Sequence, residues 1–382
     1  MKIMHLSDLH LGKSILEQSL IVDQEYILNQ IIDIVKEKCI DIVLIVGDVY
    51  DKGIPNVDAV RLFSSFLTKL YKLKVKVLLI SGNHDSKDRL SFGNELFVDN
   101  GVYIEGIFNG ELRKVTFNDD NGNLNIYMLP FIKPADVRRY YSDIQIDSYD
   151  DAVRCIINNT KIDKNERNII MVHQFVTAGG VDVERSESES LSLGGIDNID
   201  VSIFDDFDYV AMGHIHKGQR LIKDIVRYSG SPLKYSFSEV NHRKSVPIIE
   251  FIDKGNINIE LVDLVPLRDM KIIKGTMEEL LSKDFIKNIN IEDYISVVLT
   301  DEDYIMDAIG KLRSVYKNIL RLEYDNKRTS GYMLNDSKNN IDVNVLSEIE
   351  LFSKFYEMQN NIELSDEKRD IVEHIIEEIK EK

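Results

Sequence analysis

Ile42–Val46 reads IVLIV, five branched apolar residues with no polar position on either face, and a strand of that kind has to be covered on both sides. Similar short runs stand at Lys2–Leu6 and Val75–Ile80. Between them the apolar residues fall at helical spacing: Leu20, Ile27, Ile31, Ile34 and Val35 in one stretch, Val57, Val60, Phe63, Leu67 and Leu70 in the next. Strands alternating with amphipathic helices predict an α/β architecture, a β-sandwich with helices packed outside it. Further strands are expected at 102–106, 124–129, 168–173, 209–213, 226–229, 246–252 and 257–265, with helices thinning out along the way.

At 382 residues the chain exceeds one ordinary domain, and the order of elements changes behind Pro266. There the pattern predicts strand 271–273, helix 277–285, strand 295–300, helix 304–316 and strand 319–324, a small α/β unit. The predicted organisation is therefore a first domain over 1–265, a second over 266–325, a polar linker over 326–341 and a helical pair over 342–382. Val345, Ile349, Phe352, Phe355 and Tyr356 make the apolar stripe of the first closing helix, and Ile371, Ile375, Ile376 and Ile379 that of the second. A lone helical pair has no core of its own, so this stripe needs a surface on its own body or on a partner.

Composition narrows the function. Two cysteines, Cys39 and Cys155, exclude Cys-built zinc clusters and a disulfide framework and fit a reducing, cytoplasmic setting. The N-terminus meets His5 and Asp8 where a secretory signal needs unbroken apolar sequence, and no apolar run approaches the roughly 20 residues of a membrane span. A net charge of −18 argues against tight unaided binding to a polyanion. The charge is uneven, however: residues 51–100 and 201–250 together carry 15 basic and 12 acidic residues, leaving −21 for the remainder.

Both of those windows hold ligand-type residues at the ends of apolar strands. Asp8 and His10 follow the first strand, Asp48 the second, and Asn83, His84 and Asp85 the third; His173 ends a later strand, and His214 and His216 follow another. Loops at the ends of parallel strands converge on one edge of a sheet. Read as extended backbone, the spacing of two in Asp8/His10 and in His214/His216 puts each pair on one side, about 6.6 Å apart. That suits two cations roughly 3.5–4 Å apart. Asp48, on the central strand, is the natural bridging carboxylate. Gly47, Gly82 and Gly213 beside these ligands allow close backbone approach. Asp, Asn and His without thiolate favour a hard or borderline divalent ion, with manganese, iron, zinc and magnesium all admitted. Two such cations clamping a phosphate and activating a water define phosphoester hydrolysis, and His84 is placed to assist the departing oxygen. One His at a strand end is usually a structural residue; five such sites in order are hard to assign to packing alone. His5 reads as packed, His242 as a loop residue and His374 as solvent-facing, while the acidic stretch Glu184–Glu189 reads as a solvated face.

The ordered segments DLHLG, GDVYD, GNHD, VHQ and GHIHKGQ resemble the calcineurin-like metallophosphoesterases. The stretches SESESLSLGG at 186–195 and YSGSPLKYSFSE at 228–239 resemble the DNA-repair nucleases among them. The resemblance implies a β-sandwich flanked by helices, a small α/β capping domain that positions DNA, and a C-terminal helical hairpin. It implies one metal held by Asp8, His10, Asp48 and His216 and a second by Asp48, Asn83, His173 and His214, with manganese as the ion. It assigns His84 as the catalytic histidine and Asp85 as its orienting partner. The chain departs from archaeal and eukaryotic relatives at Asp51, where they tend to carry a further histidine; the expected role of Asp51 is to support His84. Also implied are an ABC-type ATPase partner with long coiled coils, docking on the closing helices, and a homodimer within a heterotetramer, formed through helices of the first hundred residues. The expected activity is exonucleolytic on double-strand ends and endonucleolytic on hairpins and single strands. The rival readings are a dinuclear phosphoesterase for small phosphodiesters or phosphoproteins, and a DNA-end scaffold without catalysis.

Overall fold

A computed structural model of the chain describes residues 1–179, 183–189, 197–326, 347–360 and 364–380. Its contacts divide it into two units, Met1–Asp269 and Met270–Lys382.

The first unit opens with β1 (Lys2–Leu6), α1 (Ile21–Lys38), β2 (Ile42–Val46), α2 (Val57–Lys72), β3 (Lys76–Ile80) and β4 (Val102–Glu105). It continues through β5 (Arg113–Asp119), β6 (Gly122–Leu129), α3 (Tyr149–Asn158), β7 (Arg167–His173) and β8 (Tyr209–Gly213), then β9 (Gln219–Arg220), β10 (Val226–Tyr228), β11 (Ser245–Asp253) and β12 (Asn256–Asp263). One sheet has the order β12-β11-β1-β2-β3-β4 and the other β9-β10-β8-β7-β6-β5. Strands β1 to β4 run parallel, as do β6, β7, β8 and β10, so their carboxyl ends share an edge.

Between the sheets lies a dry layer of Leu44, Val46, Leu78, Ile80, Ile126, Met128, Ile169, Met171 and Ala211, each fully buried. His5 is packed here as expected, its Nδ1 3.0 Å from the Tyr209 hydroxyl across the sandwich. Burial pushes its ring down to about 3.

Helix α2 begins where Asn56 accepts from the Ala59 amide. Its buried face is Ala59, Phe63, Phe66 and Leu70, whereas Val57 and Val60 are 63% and 44% exposed. The stripe is thus rotated from the sequence reading, because the small Ala59 and the Phe66 ring, not the two valines, meet the sheet. Helix α3 and edge strand β5 were not foreseen; β5 alternates half-buried and exposed positions and carries little apolar signal.

In the second unit β13 (Met270–Gly275), β14 (Tyr294–Leu299) and β15 (Asn318–Tyr324) form a parallel sheet in that order. The helix expected over 277–285 is two short turns, Met277–Leu280 and Lys283–Ile286. The one expected over 304–316 shrinks to α4 (Ala308–Arg313), because Asp307 adopts a left-handed conformation and caps it by accepting from the Gly310 amide. Tyr304 and Met306 ahead of it are exposed. Helices α5 (Glu348–Asn360) and α6 (Asp366–Lys380) close the chain and touch each other. Leu351, Phe352, Phe355, Ile371 and Ile375 on them remain exposed, and so does His374. Val345, and the linker apart from Asn326, lie outside the described residues, as do 190–196 of the SESESLSLGG stretch and the side chain of Ile379.

Candidate metal centre

The loops behind β1, β2, β3 and β8 and the last residue of β7 meet at one edge of the sandwich. They are laced by their own backbones: the amides of Asp8, His10 and Leu11 donate to the carbonyls of Gly47, Asp48 and Val49. The side chain of Gln24 on α1 fixes the first loop, accepting from the Gly12 amide at 2.9 Å and donating to the His10 carbonyl at 2.7 Å.

The ligand pairs are not in extended backbone. Asp8, His10, Asp48 and His214 have φ of 53°, 42°, 50° and 93°, each in the left-handed region that side-chain-bearing residues avoid. The spacing-of-two rationale therefore fails in detail: turns, not strands, aim these side chains. Strain of this kind persists only where surrounding bonds over-determine it. Two glycines make room for the result. A Cβ on Gly47 would lie 2.1 Å from His173 Nδ1, and one on Gly82 would lie 2.1 Å from Asp48 Oδ1.

All seven side chains expected to hold metal come together. His10 Nε2 and His216 Nε2 face each other at 3.1 Å. Asn83 Oδ1 lies 3.1 Å from His173 Nε2 and 2.9 Å from His214 Nδ1. Asp48 Oδ2 sits between the two groups, 3.6 Å from His10 Nε2 and 3.3 Å from His173 Nε2. Asp8 accepts from the His214 amide, with each oxygen 3.1 Å away. Asp8, His10 and His216 form one cluster with ligand atoms within 4.8 Å of one another, and Asp8, Asp48 and His173 form another. Nitrogen lone pairs and carboxylate oxygens crowded together in a nearly dry pocket repel one another unless protons or cations lie between them, and this donor set fits two divalent ions. HxH thus splits: His216 lies in the first cluster, whereas His214 is joined to His173 through Asn83.

Burial and mutual charge set the protonation states. Burial pushes Asp48 up, but the His173, His10 and His84 rings outweigh it and hold Asp48 below the ordinary carboxylate range. Its partner His173 is raised to about 9 by the charge of Asp48, against the opposing effect of burial. Burial lowers His10, and it lowers His214 to about 3 with help from the neighbouring His173. Asp8 is raised, chiefly by burial.

His84 is half-buried beside the first cluster, its ring edge-on to His10 with centroids 4.8 Å apart. Its amide donates to Asp48 Oδ1 at 2.8 Å, and its Nδ1 lies 3.0 Å from the carbonyl oxygen of Asp51. The Asp51 backbone thus meets the His84 ring, while its carboxylate takes Lys13 Nζ at 2.8 Å and lies 3.7 Å from His10 Nδ1. Asp85 is likewise committed to backbone, accepting from the amides of Val49, Tyr50 and Gly82. It ties the second loop to the third, the turn that carries His84. Burial, then the charge of Asp48, raises Asp85 to about 6.

The acidic stretch read as solvated is only partly so. Glu184 is exposed, but Glu189 is 8% exposed and accepts from the His216 amide at 2.8 Å. Half-buried Ser188 and buried Glu239 and Lys244 complete a group around His216 that was also missed, although the first two stand in the stretches 186–195 and 228–239. Although burial opposes it, Lys244 and His216 hold Glu239 below the ordinary carboxylate range. His242 is a loop residue as expected, yet buried beside this group.

A two-sheet sandwich carrying this centre at the carboxyl ends of its strands defines a metallophosphoesterase, and residues 1–218 match the calcineurin-like phosphoesterase family, to which the chain belongs. Residues 266–360 match a second family, described as the type 5 capsule protein repressor C-terminal domain. Over 382 residues, 98% of both proteins, the chain is 31% identical to the SbcD subunit of the nuclease SbcCD from Staphylococcus epidermidis. Among solved structures it is similar to a dimetal phosphatase from Danio rerio, with a TM-score of 0.40 and 12% identity over 69% of this chain and 96% of that one. It is similar also to phosphopantetheinyl hydrolase from Mycobacterium tuberculosis, with a TM-score of 0.36 and 14% identity over 60% and 90%.

Proposed function

We propose that the chain is the nuclease subunit of an SbcCD-type complex, hydrolysing DNA phosphodiester bonds with two manganese ions in recombination and repair. It acts as an exonuclease on double-strand ends and as an endonuclease on hairpins and single strands. The observation that carries this reading is Asp48, a buried carboxylate placed between two histidine-rich clusters drawn from five chain segments. Full-length similarity to a subunit named as a nuclease supports DNA as the substrate.

Asp8, His10, Asp48 and His216 would hold one ion, and Asp48, Asn83, His173 and His214 the other. Bound there, the pair supplies Lewis-acid stabilisation of the phosphoryl oxygens and a water of lowered pKa for in-line attack. The chain supplies orientation. His84 gives Nδ1–H to the Asp51 carbonyl, which leaves Nε2 for the departing oxygen; protonated, that nitrogen is the general acid. Asp85 keeps the turn in place, and Asp51 with Lys13 flanks the His10 ring.

With a net charge of −18 the chain needs help to hold DNA. An SbcC-type ABC ATPase with long coiled coils is the partner, docking on α5 and α6, whose exposed Phe352, Phe355, Ile371 and Ile375 support that role. The second unit positions DNA, and exposed Ile54, Val57 and Val60 support a homodimer formed through the start of α2 within a heterotetramer.

A labelled duplex and an aryl phosphodiester, each incubated with manganese and the ATPase subunit, test the reading. Duplex cleavage is expected from the native chain, and His84→Ala should lose it while still binding metal and ATPase. Turnover of the aryl ester alone, or native-rate cutting by His84→Ala, overturns it.

A further inference from the structure

The far ring nitrogen of His216 is held by a chain of side chains, half-buried Ser188 and then buried Glu239, ending in the buried Lys244. Lys244, 7% exposed, has three ammonium protons and finds three acceptors: the His216 carbonyl at 2.8 Å, Ser231 Oγ at 2.8 Å and Glu239 Oε2 at 2.6 Å. With every donor used, the ammonium is fixed, and the fully buried Glu239 beside it stays an ionised acceptor. The other oxygen of Glu239 takes the hydroxyl proton of Ser188 at 2.6 Å. Ser188 has one proton to give, so toward His216 Nδ1, 2.7 Å away, and Ser186 Oγ, 2.8 Å away, its oxygen accepts, and Glu239 Oε1, which can only accept, itself lies 3.4 Å from Nδ1. Nδ1 must then carry the ring proton and Nε2 the lone pair, and Nε2 is the atom that faces His10 Nε2.

We infer that Lys244, Glu239 and Ser188 are positioning residues that lock His216 in the Nδ1–H tautomer and thereby set the affinity of one of the two metal positions. The inference rests on the metal-centre reading above. Glu189, accepting from the His216 amide, fixes the backbone of the same ligand, so residues 186–189 grip His216 at two points. A carboxylate, which can only accept, is essential to the logic. In Glu239→Gln the amide oxygen goes to Lys244, a donor only, and the amide NH2 turns to Ser188. The hydroxyl, 2.8 Å from Ser186 Oγ and 2.7 Å from Nδ1, is then free to donate to Nδ1, which puts the ring proton on Nε2 and turns the lone pair away from the metal position, so the lock is lost. Outer partners of ligating histidines typically change metal affinity about 10- to 100-fold.

Manganese titration of the full chain, followed by calorimetry and by electron paramagnetic resonance of the bound ions, tests this. The native chain should bind two Mn2+ and show the spectrum of an exchange-coupled pair. Glu239→Gln should weaken one binding step about 10- to 100-fold and leave the other within twofold. At concentrations that fill both native positions its spectrum should be that of isolated Mn2+, and excess manganese should restore the coupled signal. Melting in EDTA monitors the fold independently of metal. Unchanged binding steps in a folded Glu239→Gln overturn the inference. Where that variant does not fold, Glu239→Asp, which keeps a charge beside Lys244 but draws the carboxylate back from both Ser188 and Nδ1, carries the test: a several-fold weakening of one step supports it and native binding overturns it. Fewer than two Mn2+ on the native chain would instead defeat the metal-centre reading itself.

Discussion

Replacing Gly82 by alanine perturbs the centre without changing any ligand. The added Cβ would lie 2.1 Å from Asp48 Oδ1 and 2.4 Å from the Asp48 backbone nitrogen, whereas real Cβ atoms do not come closer than 3.0 Å. The second contact is with backbone, so no rotamer relieves it, and the loop must retreat by about 0.6 Å, most of the way to the 1 Å misplacement that costs roughly 100-fold in rate when it falls on reacting groups. Gly82 does not have positive φ, so the effect is steric and not one of backbone strain. The moving loop carries Asn83 and His84, and the retreat strains the bonds from the Gly82 amide to Asp85 and from the His84 amide to Asp48. Metal sites tolerate about 0.2 Å in ligand distance, so one or both binding steps should weaken and duplex cleavage should fall by about 10- to 100-fold. The stability cost should be that of overpacking, about 1–3 kcal/mol, read as a modest lowering of the melting temperature. Gly179→Ala is the control, since its Cβ would meet nothing within 4 Å. Native metal binding and cleavage by Gly82→Ala would refute the geometry from which these figures come.

Leu44, fully buried on the central strand, should cost about 2–5 kcal/mol when cut to alanine, measured by urea unfolding; a cost under about 1 kcal/mol would mean that the layer between the sheets collapses readily. Asp119, bonded to the buried guanidinium of Arg167, is held down to about 2 from an ordinary 3.8. A depressed acid stabilises the fold fully above its unfolded pKa and loses that contribution as pH falls through the folded one. Native and Asp119→Asn unfolding midpoints should therefore differ most above about pH 4 and converge toward pH 2; a difference independent of pH would refute this. Val57→Asp with Val60→Asp, both at exposed positions, should leave the melt near native and convert the proposed dimer to a monomer by light scattering, and a surviving dimer would exclude this face of α2.

What was legible in the sequence was whatever a short window carries. IVLIV cannot be wet on either face, and it became the fully buried β2. Five segments ending in Asp, Asn or His had to share an edge once their strands ran parallel, and every proposed ligand arrived there. Errors came where a window misleads about direction. In α2 the valines weighed more than the alanine, yet an alanine is what lets a helix lie close to a sheet, and Ala59 is fully buried while Val57 faces out. Helix α3 did have a signal, since Ser148 and Asp151 form a capping box ahead of a run in which Ala152, Val153, Cys155, Ile156 and Ile157 are buried.

The residues around His216 were hidden for a different reason. Ser188, Glu239 and Lys244 are ordinary surface types, and nothing local says that Glu239 is dry. Lys244 lies 28 positions from the His216 carbonyl to which it bonds. A buried acid is affordable only where a fixed cation and hydroxyl donors meet it, and that condition is set by tertiary packing. A ligand can thus be recognised from its strand end, while the groups that decide which of its nitrogens is free cannot. The left-handed turns at Asp8, His10, Asp48 and His214 follow the same rule, because their strain is offset by bonds such as Asp8 to the His214 amide, 206 positions away. Residue type marks the candidate ligands; long-range hydrogen bonds arrange them.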